Sequence, residues 1–328
     1  MKTFRLLAAA AALLALAGCI SPRLNLFPDY TDPLKEHTLQ GAGKHKVLII
    51  HVKGFISDEV GKSLLQTRPS MVQEFVSQLR KAEEDRDIKA VVLQLNTPGG
   101  SATASDILYE EIVRFKAKTG VKIVAAMMDV AASGGYYIAL PADSIIAHPT
   151  TVTGSVGVMF VRPKVVGLMD KVGMAVEISK SGKNKDMGSP FRATTAEENE
   201  IIQNLIGELA TRFLNLVAKH RRIDGEELAR ISTGRVYLAN QALRAGLLDN
   251  IGYLHDALAQ AKSLAGLPDD AKVVVYRRTE YPDDNLYNTS VSQLPAGNLK
   301  LIDISPIDSL ANLPVGFYYL WLPAAGSD

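Results

Sequence analysis

The chain has 328 residues, 47% of them hydrophobic and 22% charged, enough apolar surface for a sizeable core; disorder over most of the length is excluded. Lys and Arg number 36 against 35 Asp and Glu, so the formal charge of +1 makes no electrostatic case for nucleic acid as the main partner. A lone cysteine, Cys19, excludes an internal disulfide and a Cys-rich zinc site.

Lys2 and Arg5 precede an apolar run from Leu6 to Ala17. Twelve residues make a helix of ~18 Å, too short for a hydrocarbon core of ~30 Å. A cleaved export signal over residues 1–18 is therefore expected in place of a spanning anchor. Leu16-Ala17-Gly18-Cys19 resembles a bacterial lipobox. That resemblance implies lipid attachment at Cys19 and an exported chain, anchored to a cell membrane on its periplasmic side. Residues 19–45 are rich in Pro, Asp, Gly and Lys and read as a tether.

Residues 46–193 read as an α/β core. Val47–Val52, Ala90–Leu95, Val121–Met128 and Ser144–Ala147 are short apolar runs that predict buried strands. Between them, Met71, Val72, Phe75, Val76 and Leu79 predict a helix over 70–84, and Ile107, Leu108, Ile112, Val113 and Phe115 another over about 103–118. Strands alternating with helices predict a largely parallel sheet. Residues 194–278 read as helical, completing the same domain and serving oligomerisation. They open with Thr194 or Thr195 before Glu197 and Glu198, an N-cap with an acidic first turn. The long helix that follows runs to about His220, and Lys272–Tyr276 predicts a late strand. Residues 279–328 read as an extended tail ending in Phe317-Tyr318-Tyr319-Leu320-Trp321-Leu322-Pro323. That stretch could lie on a membrane, fill a neighbour's groove or pack on the domain.

Ala131-Ala132-Ser133-Gly134-Gly135-Tyr136-Tyr137 sets a serine where a strand gives way to a helix. Flanking glycines permit a sharp turn and a close substrate, and the helix N-terminus favours developing negative charge. A plain N-cap serine is the competing explanation. Asn96-Thr97-Pro98-Gly99-Gly100-Ser101 follows a predicted strand, and its glycines could offer an N–H that joins the N–H of Gly134 as an oxyanion hole. A tight structural turn explains it as well. No histidine among His37, His45, His51, His148, His220 and His255 has a motif around it. Lys180, Lys183 and Lys185 lie in one loop, and a lysine can serve as base when burial lowers its pKa from about 10.4 toward 7–8. No metal or cofactor is required by any of these motifs.

In this order, NTPGGS, AASGGYY, Thr153-Gly154-Ser155-Val156-Gly157-Val158, Gly182-Lys183-Asn184-Lys185-Asp186 and the segment Gly234 to Gly252 resemble the signal peptide peptidase A family of serine peptidases, over about residues 47–265. The resemblance implies a ClpP/crotonase-like spiral of ββα units with a C-terminal helical region. It implies Ser133 as nucleophile, Lys185 as general base, Ser155 positioning that lysine, and Gly100 and Gly134 as oxyanion donors. It implies a homo-oligomeric ring in which neighbouring subunits contribute the serine and the lysine. The expected activity is endopeptidase cleavage of membrane-derived peptides such as cleaved signal peptides, with small or aliphatic side chains favoured. A catalytically inert, ring-forming lipoprotein scaffold is the main alternative. An acyl-CoA enzyme and a Ser-His-Asp peptidase are weaker ones, because export removes coenzyme A and no histidine has a matching context.

Overall fold

The computed structural model describes residues 32–62, 67–281, 284–287, 313 and 315–322. Its compact unit begins at Leu34. The predicted signal segment, including Cys19, lies outside the described residues.

In chain order the elements are β1 (Lys35–Gln40), β2 (Lys46–Lys53), β3 (Gly61–Lys62), β4 (Thr67–Arg68), α1 (Met71–Glu84), β5 (Ile88–Thr97), β6 (Gly99–Ser101), α2 (Ala102–Thr119), β7 (Lys122–Ala132), α3 (Gly134–Ala139), β8 (Ser144–Ala147) and β9 (Val152–Gly154). The second half adds β10 (Met159–Val161), α4 (Val166–Val172), α5 (Ala196–Arg221), α6 (Gly225–Ile231), β11 (Val236–Leu238), α7 (Ala239–Arg244), β12 (Asn250–Ile251), α8 (Leu254–Leu264), β13 (Lys272–Arg277) and β14 (Gly316–Leu320).

The main sheet runs β1-β13-β2-β5-β7-β8-β12. From β13 to β12 every pairing is parallel, as the strand–helix alternation predicts. β2 and β5 read as unbroken apolar runs because both faces are covered. Leu48, Ile50, Leu93 and Leu95 pack toward α1 and α2, whereas Val47, Ile49, Ala90 and Val92 pack toward α8. The tether reading of residues 19–45 gives way at Lys35: β1 pairs antiparallel with β13, and its polar residues belong to an edge strand with exposed positions.

β7 forks. Val124–Met127 pair with β8, while Val130–Ala132 pair with β9, which also carries β11. The fork splays the sheet at the end of β7, where Ser133 stands. A second, three-stranded antiparallel sheet, β10-β14-β6, lies alongside this end. The stretch β5-β6-α2 is thus one ββα unit feeding its middle strand to the second sheet. α5 opens with a capping box between Thr195 and Glu198 and buries Phe213 and Val217 in the main core.

Candidate active site

Ser133 ends β7 and caps α3 without a side-chain capping bond. Its φ of 52° and ψ of −114° are unusual for a residue with a Cβ and cost about 1–3 kcal/mol. Two backbone bonds hold that turn: its N–H donates to Gly154 at 2.8 Å, and its carbonyl accepts from Tyr137 at 2.9 Å. The residue is 1% exposed, and its Oγ has no hydrogen-bond partner among the described residues. A buried hydroxyl left unpaired on a strained turn is the signature of a reacting group more than of a cap.

Ser155 follows Gly154 and is also buried, with φ of 52°. Because β7 and β9 pair Ala132 with Gly154, the two serines leave their strands in register. The Ser155 N–H donates to Arg235 at 2.8 Å, within the segment 234–252 that carries part of the resemblance.

Gly100 faces the second sheet. Ile56 donates to the Gly99 carbonyl and accepts from the Ser101 N–H, both at 2.9 Å, so these groups point to one edge of β6. Alternation then turns the N–H and carbonyl of Gly100 to the other edge, where Tyr319 of β14 is its register partner. The Trp321 N–H donates to Pro98 at 2.9 Å, two residues along the same register, which fixes Gly100 and Tyr319 as a hydrogen-bonded pair.

A Cβ on Gly99 would overlap the Tyr319 carbonyl oxygen and lie 2.7 Å from the Gly134 nitrogen. The missing side chain therefore leaves the Tyr319 carbonyl and the Gly134 backbone facing one another. A Cβ on Gly134 would lie 2.5 Å from Ser105 Oγ. Thr97 fixes the turn, donating to the Gly54 carbonyl at 2.5 Å and accepting from the Gly99 N–H at 3.0 Å. The glycines thus build a narrow slot in which one peptide carbonyl reaches the Gly100 N–H beside the start of α3.

None of the predicted lysines bonds to Ser133. Lys185 is exposed and forms no bond to Ser133. Lys183 pairs with Glu197, and Lys180 with Asp186 at 2.5 Å. The loop's anchor is Asp186, which the sequence did not single out. Arg192 grips it with Nε at 2.7 Å and Nη2 at 2.8 Å, and also holds Glu198 at the start of α5. The guanidinium, then Lys180, holds the Asp186 carboxyl well below the usual range, and Arg192 lowers Glu198 to about 2. His51 is held neutral by burial in β2, its pKa lowered to about 3. His220 pairs with the Tyr109 hydroxyl at 2.8 Å. Among the described residues no His, Cys, Asp and Glu cluster could hold a metal ion.

The features that sequence reasoning missed are Ile56, Asp186, Arg192 and the seat of Tyr319. The Phe317–Leu320 run was read as part of an extended tail, and the structure makes it the strand β14.

Residues 115–268 match the model of Peptidase family S49, and residues 63–155 match that of Clp protease. An Enterococcus faecium protein provisionally named signal peptide peptidase SppA is 38% identical over 248 residues, covering 75% of this chain and 72% of that one. Protease 4 of Haemophilus influenzae is 32% identical over 273 residues, covering 83% of this chain and 43% of that one. The chloroplastic serine protease SPPA of Arabidopsis thaliana is 32% identical over 234 residues, covering 71% and 34%. The chain spans less than half the length of those last two. With the parallel sheet and the serine at its fork, these matches define a serine peptidase of ClpP-like fold. The chain belongs to peptidase family S49.

Proposed function

We propose that this peptidase is a membrane-anchored endopeptidase with a Ser133–Lys185 dyad, acting on membrane-derived peptides such as cleaved signal peptides. The observation that carries the reading is the buried, unpartnered Ser133 hydroxyl beside a slot that already accepts an extended backbone at Gly100.

The neutral Lys185 amine takes the Ser133 proton as Oγ attacks the peptide carbonyl carbon. The N–H groups of Gly100 and Gly134 hold the resulting oxyanion, each worth about 10²–10³ in rate. Collapse breaks the C–N bond, and the lysine returns its proton to the leaving amine. Water then hydrolyses the ester, with the same amine as base.

Lys185 is exposed on its own chain, so the dry surroundings a neutral amine needs must come from elsewhere. A second copy in a homo-oligomeric ring supplies them in this reading. Leu168, Val172, Met174, Val176 and Ile178 precede the lysine loop, and all are exposed, an apolar surface suited to such a neighbour. Lipidated Cys19 holds the assembly on the membrane, on its periplasmic side.

Ser133→Ala and Lys185→Ala are each expected to lose nearly all turnover, and co-assembly of the two variants to restore a measurable fraction. A Lys185→Ala protein that keeps most of its rate would overturn the dyad. Two inactive variants that stay inactive when co-assembled would overturn the shared site.

A further inference from the structure

β11, the partner of β9 at the fork, borders a cavity that the peptidase chemistry does not use. Val236 lies opposite Gly154 and Tyr237 opposite Thr153. Between α6, β11 and α7 the cavity holds about 170 Å³. Its polar lining is Glu227 and Arg230 of α6, Arg235 and Tyr237 at β11, and Gln241 and Arg244 of α7.

Three guanidinium groups against one carboxylate leave an excess of positive charge, and the carboxylate, Glu227, already pairs with Arg230 at 3.1 Å. Gln241 accepts from the Leu238 N–H at 3.1 Å through Oε1, which leaves its amide nitrogen as a donor. The buried member is Tyr237, 5% exposed, whose hydroxyl has no hydrogen-bond partner among the described residues. Burial pushes its pKa up, so it meets an anion as a donor. The charged groups that act on it are those of the cavity, Arg235, Glu227 and Arg230. An orphaned hydroxyl beneath arginines is a donor set waiting for an acceptor.

The lining also selects the ligand. Arg235 Cζ lies 4.7 Å over the centre of the Tyr237 ring, and a Cβ on Gly154 would lie 2.6 Å from its Cδ2. The ring of the lining is thus taken on both counts, which leaves no platform for a nucleobase. A carboxylate carries one charge and two oxygens. A phosphate group carries up to two charges and spreads its oxygens tetrahedrally, so it can meet several guanidinium groups and the hydroxyl together. We propose that this cavity binds a phosphate group, free or on a lipid headgroup, and that its occupation steadies β11 against β9. The link is short: the Arg235 carbonyl accepts from the Ser155 N–H at 2.8 Å. The site stands whether or not Ser133 and Lys185 act as proposed above.

The test titrates the full chain with inorganic phosphate, glycerol 3-phosphate, dioctanoyl phosphatidic acid and acetate, by calorimetry at constant ionic strength. Phosphate is expected to bind at least about tenfold more tightly than acetate. Arg235→Gln and Arg244→Gln should each weaken phosphate by about tenfold, and Tyr237→Phe, which keeps the ring, by about fivefold. Arg235 and Arg244 are exposed, so those two changes leave the fold in place, and an unchanged Tm checks it. Phosphatidic acid bound about tenfold more tightly than glycerol 3-phosphate would support the site and identify a membrane lipid as its source; equal or weaker binding would support it and identify a soluble phosphate. No phosphate binding up to about 10 mM, acetate as tight as phosphate, or full affinity in both arginine variants would overturn the site. Saturating phosphate should also slow hydrogen exchange at the Ser155 amide by about threefold or more, and do so less in Arg235→Gln. Unchanged exchange in the parent protein would overturn the link to β9.

Discussion

Ser133 and Ser155 leave two adjacent parallel strands in step, each with φ of 52°, and the Ser133 N–H is bonded to the residue that precedes Ser155. One serine cannot shift without moving the other's strand. Ser155→Ala keeps the backbone and removes only the hydroxyl. It should lower kcat by about 10–100-fold with KM and Tm little changed, since a positioning group acts on the chemical step. Ser155→Val, which forces a β-branched residue to positive φ, should lower Tm as well. An Ala variant of full rate would remove Ser155 from the site.

Gly134 has no room to grow. An alanine there meets Ser105 Oγ at 2.5 Å and the Gly99 Cα at 3.1 Å. Gly134→Ala should therefore lose at least about 100-fold in kcat and about 1–3 kcal/mol of stability. Adding Ser105→Ala removes the nearer clash and should restore part of the Tm while the rate stays low. Recovery of the rate together with the Tm would show that the remaining contact with the Gly99 Cα does not displace the N–H at 134.

The ion-pair network behind the lysine loop has a definite pH signature. Arg192 lowers Glu198 from 4.5 to about 2 and Asp186 below its ordinary value. A depressed carboxylate contributes stability that is fully present above its unfolded pKa and is lost as pH falls through the folded one. Arg192→Gln should thus lower Tm at pH 7, and the gap from the parent protein should close between pH 4.5 and about 2. The same variant should reduce the peptidase rate at pH 7, because the loop bearing Lys185 loses its anchor. A Tm gap that does not vary with pH would show that the network adds nothing through charge.

Removal of residues 317–328 should raise kcat/KM for short peptides several-fold, since β14 and a substrate would pair with the same edge of Gly100. An unchanged rate would mean that substrates do not use that edge. Hydrogen exchange at the Gly100 and Met159 amides should speed up in the truncated protein, which reports the uncovered strands directly.

Much of the main sheet was legible because β2, β5 and β7 are buried on both faces and spell continuous apolar runs. The β1 segment KEHTLQ was not, since an edge strand facing solvent needs no apolar pattern. α5 announced both its cap and its period. At the site, the local motifs marked Ser133, Gly100 and Gly134, because each requires a special backbone or close approach that leaves a trace in residue type, whereas Ser155 was marked by the family resemblance alone. The grip of Arg192 on Asp186 left no such trace, being an ordinary charge pair until folding sets the two together. Nor could the tail disclose its seat: the open edge of β6 that receives β14 is created by the bend at Pro98 and by Ile56 covering the opposite edge. The pocket for Tyr319 draws on α3 and α5, whose meeting no stretch of sequence encodes alone.

The strand in the groove changes what an inhibitor measures. A compound seeking that groove meets the intact chain with its place taken, and binds only the fraction of molecules whose strand has lifted away. Its apparent dissociation constant is the true one divided by that fraction. Potencies ranked on the intact chain will then all be understated by one common factor, while a compound that engages only the lysine loop will show no such handicap.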